Sequence, residues 1–351
     1  MGRKEKKEID ETLELPKVQE VKGTTAKEEY NSDYCKMYQG TATNKLSGVS
    51  SKDIKYENYS KEGVIEADGL KVFFQEHNKL KANLRISTQK LLDYGIIELT
   101  RQNNYRDKNK TKMITSVSFP LKEYAMDLGY DVIEKYIENE VERKKEALRV
   151  KRIIDNVRRR INEDLEVLFS MRLSWTEPKG GSKGKSLDYT DVRLLQSKGI
   201  KSGVVNIKFT EDITLYLTNA YVTQYPKALF KLDERNPVAY QIGYKLALHN
   251  GIKNNIIKRT QNIIKVETLL KASGSIATIK EVNEKDPGHW DRRIKEPLEK
   301  SLQDLLDNEM LDYWEYSNSK AIPLTNEQAE FRTYDDFIKL YIHFDLKNKK
   351  K

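Results

Sequence analysis

Of 351 residues, 63 are Lys or Arg and 54 are Asp or Glu, so the net charge of +9 is small for the whole chain and matters only where it is concentrated. The length suits two domains plus tails, each able to bury a core. No run of 18 apolar residues exists and Met1 to Asp10 is polar, which excludes a helical membrane span and a secretory signal, so a cytoplasmic protein is expected. Cys35 is the sole cysteine, which excludes an internal disulfide and a thiolate-rich metal site.

Residues 1–62 are rich in Lys, Glu, Thr, Ser and Asn and read as a flexible polar leader with one short helix at most. From 63 to 225 the pattern is that of a first folded domain. Val72, Phe73, Phe74 and Leu80 suit a one-sided helix, and Ile86, Leu91, Leu92, Ile96, Ile97 and Leu99 suit a second, opened by Ser87 or Thr88 as N-cap. Ile114 to Phe119 alternates like a strand. Pro120 then starts a helix that Gly129 ends, and a long helix is expected from Asp131 to Phe169.

That helix holds the most informative stretch. Between Arg143 and Arg160 nine basic residues face two acidic ones, while Val150, Ile153, Ile154, Val157, Ile161, Leu165 and Leu168 share one stripe. Opposite the stripe, Arg152, Asn156, Arg159 and Glu163 recur at helical spacing, with Arg149 and Arg160 at the margins. Arg matches guanine O6/N7 and Asn matches adenine N6/N7, so the face suits a DNA major groove; a solvated helix face is the alternative. Leu168 to Trp175, Leu187 to Leu195 and Val204 to Phe209 read as strands. They are separated by a basic Gly-rich loop (Lys179, Lys183, Lys185), expected to act as a wing on phosphate, and by a turn at Lys198 to Gly203.

The order of elements recurs in residues 226–351. Pro237 to Asn250, Ile263 to Ala272 and Trp290 to Asn308 read as helices, and Leu311 to Tyr316 and Phe337 to Asp345 as strands. In the third helix Ile294, Leu298, Leu302 and Leu305 form the apolar stripe, and Arg293, Glu296, Lys300 and Gln303 project to the other side, with Arg292 at the margin. Pro297 either kinks that helix or opens its regular part. The expected fold is α+β, mainly helical, with two tandem winged-helix domains.

Enzyme signatures fail on spacing. Gly180 to Ser186 ends in Gly-Lys-Ser, but Lys179 stands where a phosphate loop needs its first glycine. The four histidines are far apart in sequence, and adjacent Asp335 and Asp336 on a strand would point to opposite faces. No cofactor, no metal and no catalytic activity are expected.

Three stretches resemble the iteron-binding plasmid replication initiators, a family of paired winged-helix proteins. They are Val204 to Thr218, the segment Phe230 to Leu248 with NPVAYQIGYKLAL, and Trp290 to Leu305 with WDRRIKEPLEKSLQDL. The resemblance spans roughly 84–316 and departs from the family in the long leader, the extension before the basic stretch and the loop 317–333. It implies double-stranded DNA with repeated origin sites as the ligand. It also implies monomers on those repeats, homodimers that repress the protein's own gene, and recruitment of a host initiator and replicative helicase. A tandem winged-helix transcriptional regulator is the nearest alternative, and a primase or relaxase a more distant one.

Overall fold

The computed structural model describes residues 33–49, 55–56, 62–67, 69–75, 85–104, 113–133, 135, 137–177, 187–251, 262–325 and 333–347. The chain is α+β. Part of the segment expected to be a leader is folded: strand β1 (Tyr34–Gln39) and helix α1 (Thr41–Gly48) bury Met37, Tyr38, Ala42 and Leu46. Four well-spaced apolar side chains hold them despite the polar composition around them.

Next come the strands β2 (Lys55–Tyr56), β3 (Glu62–Ala67) and β4 (Leu70–Gln75). Ile65, Val72 and Phe74 therefore sit on strands, and the helix expected there is not formed; Leu80 lies outside the described residues. Ala67 pairs with Leu70, and Gly69 just before it has φ +76°, a left-handed value that glycine adopts without strain.

Helix α2 (Ile86–Asn104), strand β5 (Ser116–Pro120), helix α3 (Leu121–Asp127) and the long helix α4 (Glu140–Ser170) follow. Ser87 and Thr88 do not cap α2 as expected. Their hydroxyls donate to buried Asp164 of α4 (3.0 and 2.6 Å), fastening the two helices. Helix α4 starts nine residues later than the apolar spacing suggests, because the Asn139 side-chain oxygen Oδ1 accepts from Val141 and Glu142 N–H (2.9 and 3.2 Å) and sets the cap there.

After α4 the chain makes two hairpins in different sheets. Strands β6 (Met171–Glu177) and β7 (Leu187–Arg193) complete a five-stranded sheet of order β2-β3-β4-β6-β7. Strands β8 (Leu195–Lys201) and β9 (Val204–Phe209) join β5 in a three-stranded antiparallel sheet of order β5-β9-β8. The run Leu187 to Leu195 is thus two strands divided at buried Leu194.

Helix α5 (Glu211–Thr218), strand β10 (Tyr221–Pro226) and the short helix α6 (Ala228–Lys231) lead to α7 (Pro237–Gly251). There follow β11 (Ile263–Lys265), α8 (Val266–Ala272), α9 (Ile279–Lys285), and a π turn at Asp291–Lys295 that runs into α10 (Glu296–Asp307). Strand β12 (Leu311–Ser317), the turn of helix α11 (Tyr334–Phe337) and β13 (Tyr341–Leu346) finish the chain. Two expectations shift here: Ile263 opens a strand rather than a helix, and the last strand starts at Tyr341 because Thr333 caps α11. The sheet order β11-β13-β12 repeats β5-β9-β8 step for step.

The divisions expected after residues 62 and 225 both cut through a strand, β3 and β10. Strand β10 pairs with β1 along its whole length, and this ribbon lies between α2 and α7. Across the junction, Lys90 of α2, 1% exposed, donates to the carbonyls of Phe230 (2.9 Å) and Leu232 (2.6 Å). One turn on, buried Asp93 accepts from the Tyr240 hydroxyl of α7, which is 2.9 Å from the Tyr225 hydroxyl. The Tyr244 hydroxyl donates to Gln39 at 2.9 Å.

Burial lifts the Asp93 carboxyl from an ordinary 3.8 to about 7, against the hydrogen bonds from Tyr240 and Tyr225 that pull it down. Between those values the folded chain keeps a proton that the unfolded chain has released. Stability is therefore fullest below about pH 4 for this group and falls by up to about 4 kcal/mol as pH rises through 7. Asp93→Asn keeps an acceptor for Tyr240 without titrating. Urea unfolding at pH 5, 6, 7 and 8 is expected to show a shallower loss of stability with pH in the variant than in the native chain. Parallel pH dependences would mean that Asp93 stays ionised when folded.

Candidate nucleic-acid interface

The apolar stripe of α4 is buried as its spacing requires: Val150, Val157, Ile161, Leu165 and Leu168 are 5% exposed or less, with Ile153 and Ile154 half-buried. None of residues 140–149 is buried, so the first turns of the helix overhang the core. At about 100° per residue, burying the stripe turns the basic face outward. Arg152, Asn156 and Arg159 are exposed on it, and no other described residue pairs with their side chains.

The structure separates the five α4 candidates into two groups. Arg149 grips Glu146 through two hydrogen bonds (2.8 and 2.7 Å) and reaches the Asp131 carbonyl at 3.0 Å and its carboxylate at 3.3 Å. Arg160 donates to the Tyr130 hydroxyl at 2.8 Å and pairs with Glu234. These two hold the base of the overhang and the junction to α7 rather than facing solvent freely. The C-terminal part of the face is acidic but neutralised, Glu163 by Arg85 at 2.8 Å and Glu166 by Lys198. A shallow groove lined by Asp155, Arg158, Arg159 and Asn162 runs along it.

Lys179, Lys183 and Lys185 lie outside the described residues, but their flanking strands are placed. Those strands, β6 and β7, belong to the five-stranded sheet, so the basic loop is not the wing of the β5-β9-β8 unit. The hairpin of that unit is β8-β9, whose tip Ser202 and Gly203 have φ of 51° and 75°. Exposed Lys201 precedes the tip, and the Gly203 carbonyl accepts from Leu121 N–H at 2.8 Å, tying the hairpin to α3. The turn at Lys198 to Gly203 was the sequence signal for it.

In the second unit Ile294, Leu298, Leu302 and Leu305 are buried as expected, and Arg292, Arg293 and Lys300 are exposed. The difficulty at Pro297 is resolved by the π turn: Pro297 stands in the first turn of α10, where its missing N–H leaves no bond unmade. Ahead of it, Glu296 N–H reaches back five residues to the Asp291 carbonyl. Trp290 anchors this entry, its ring 5.3 Å from Phe337 and 6.1 Å from Tyr334.

One arrangement escaped sequence reasoning. Across β12 and β13 the Tyr313 hydroxyl is 2.8 Å from His343 Nε2, and His343 Nδ1 is 3.1 Å from Glu315. The spacing of 28 and 30 residues hides it in the sequence. Burial, then the charges of Asp345 and Glu315, raise the Tyr313 hydroxyl above its ordinary value. That opposes formation of a phenolate nucleophile.

No family model matches the chain, and no curated protein does either. A selenomethionine structure of domains 2 and 3 of RctB aligns with 88% of this chain and 99% of its own, at 10% identity and a TM-score of 0.40. A second structure of RctB domains 2–3 aligns with 88% and 97%, at 8% identity and a TM-score of 0.39. Likeness at this level carries no conclusion about what this chain does.

The Arg149 contacts make a clamp under the overhang. In hydrogen–deuterium exchange, Arg149→Ala is expected to speed amide exchange across residues 140–148, while Arg152→Ala leaves it unchanged. Equal protection in the two variants would show that the clamp does not hold the overhang.

Proposed function

We propose that the chain is a sequence-specific double-stranded DNA-binding replication initiator of a plasmid or mobile element, built on two tandem winged-helix domains and acting without catalysis. The observation that carries this is the repeated unit. Helix, strand, two helices and two paired strands occur twice, α2-β5-α3-α4-β8-β9 and α7-β11-α8-α10-β12-β13, with one sheet order; β6 and β7 are inserted in the first, and α9 and, between β12 and β13, α11 in the second. In both, the last long helix ahead of the paired strands buries one stripe, and exposed arginines accompany it: Arg152 and Arg159 on α4 in the first, Arg292 and Arg293 in the π turn that leads into α10 in the second.

That helix is the groove reader of a winged helix, and the hairpin tip meets phosphate. Arg152, Asn156 and Arg159 would read bases in one half-site. Arg292, Arg293 and Lys300 would act in the other, with Lys201 on backbone and the 179–185 lysines a further phosphate contact on the neighbouring hairpin. The resemblance to iteron-binding initiators supports repeated origin sites, origin opening, a homodimeric repressing form, and host initiator and helicase as partners. A tandem winged-helix regulator would share the DNA contacts but not the loss of element maintenance on deletion of the gene.

Footprinting on DNA flanking the protein's own gene tests the reading. Full-length chain is expected to protect two adjacent half-sites, and Arg152→Ala or Arg159→Ala to cost about 1–3 kcal/mol with relaxed discrimination at one base pair. Arg292→Ala with Arg293→Ala is expected to erase one half of the footprint. Equal weakening on specific and random DNA would reduce these side chains to phosphate contacts. Strand nicking lost in Tyr313→Phe would instead favour an enzyme built on the Tyr313, His343 and Glu315 arrangement.

A further inference from the structure

We propose that Leu148 reads a thymine, its side chain meeting the C5 methyl group of one T in the major groove beside the bases read by Arg152, Asn156 and Arg159. This rests on the assignment of α4 as a DNA reader. Leu148 is 53% exposed, as is Val141 (62%) two turns earlier on the same row, whereas the aliphatic side chains from Val150 to Leu168 are buried or half-buried. At about 100° per residue it points about 160° away from Val150, about 40° from Arg152 and about 20° from Arg159. It therefore continues the reading row by one turn instead of extending the core stripe.

The Arg149 clamp fixes the position. Arg149 is the next residue, and its bonds to the Asp131 carbonyl and carboxylate tie the overhang to the chain ahead of the helix and hold the direction of its neighbour. From Leu148 to Arg159 is eleven residues, about 16 Å of helix rise, which corresponds to about five base steps. A leucine has nothing to offer a purine edge or a cytosine amino group. In the major groove the thymine methyl is the one apolar feature that a base pair presents, and covering it removes both surfaces from water.

Uracil lacks only that methyl, which makes the test specific. Affinity of the full chain would be measured on its footprinted site with each thymine replaced singly by uracil, for the native protein and for Leu148→Ala. One T-to-U change, about one turn of the helix beyond the Arg152 contact, is expected to weaken the native protein about fourfold and to leave Leu148→Ala unaffected. Leu148→Ala should keep the native response to changes at the guanine read by Arg152, which shows that the variant is folded and docked.

A native protein indifferent to every T-to-U change overturns the thymine assignment while the DNA-reading role of α4 stands. The same holds if Leu148→Ala keeps the full T-to-U penalty. Absence of any specific footprint overturns the DNA-reading assignment itself, and the leucine proposal with it. Weaker self-association of Leu148→Ala with an unchanged T-to-U penalty would place the leucine in a contact between copies of the chain.

Discussion

The buried polar contacts between α2 and α7 are the constraint on which the rest depends. Lys90 gives its charge to two carbonyls at the end of α6, and Asp93 lies against two tyrosine hydroxyls, all removed from water. Burial, then the nearby Arg160 charge, pull the Lys90 ammonium down to about 8, with Asp233 opposing. A charged group taken out of water in this way is tolerable only with its partners in place, and losing one leaves a penalty of about 3–5 kcal/mol. The two repeated units therefore cannot separate cheaply. Around this junction Tyr94 packs edge to face on Phe230 and Tyr225 on Tyr244, Tyr225 lies tilted against Phe230, and the β1-β10 ribbon closes it.

A fixed junction gives the two exposed arginine sets a fixed separation. Arg160 joins the two concerns, since it leaves the basic row of α4 to pair with Glu234 just before α7. Arg149 does the equivalent at the other end of that row by holding the overhang to Asp131. Residues that look alike in a basic stretch thus divide into those that place the helix and those left to meet a ligand. Leu148, beside the clamp and one turn before Arg152, is likewise exposed.

Much of this was legible in the sequence where a local rule governs. The α4 stripe followed from spacing at 3.6 residues per turn, the end of α3 from Gly129, and the second-unit stripe Ile294, Leu298, Leu302 and Leu305 from the same period. The β3-β4 hairpin carried its own signal in Asp68-Gly69, but the run of Val72, Phe73 and Phe74 is short enough to fit either period. The split at Leu194 was hidden because a chain that leaves one sheet for another need not break its apolar pattern. Partners far apart in sequence were invisible altogether: Asp164 beneath Ser87 and Thr88, Glu234 against Arg160, His343 against Tyr313. The folding of residues 33–49 was hidden for the same reason, since their value lies in contacts with β10 and α2.

In the proposed function, one rigid chain carries two readers at a set distance. Affinity for sites with about five base pairs inserted between the two half-sites tests it most directly, because half a helical turn moves the second groove to the opposite side of the duplex. The junction described above predicts that binding falls to the level of a site with only one half intact. Undiminished affinity for the expanded site would contradict it.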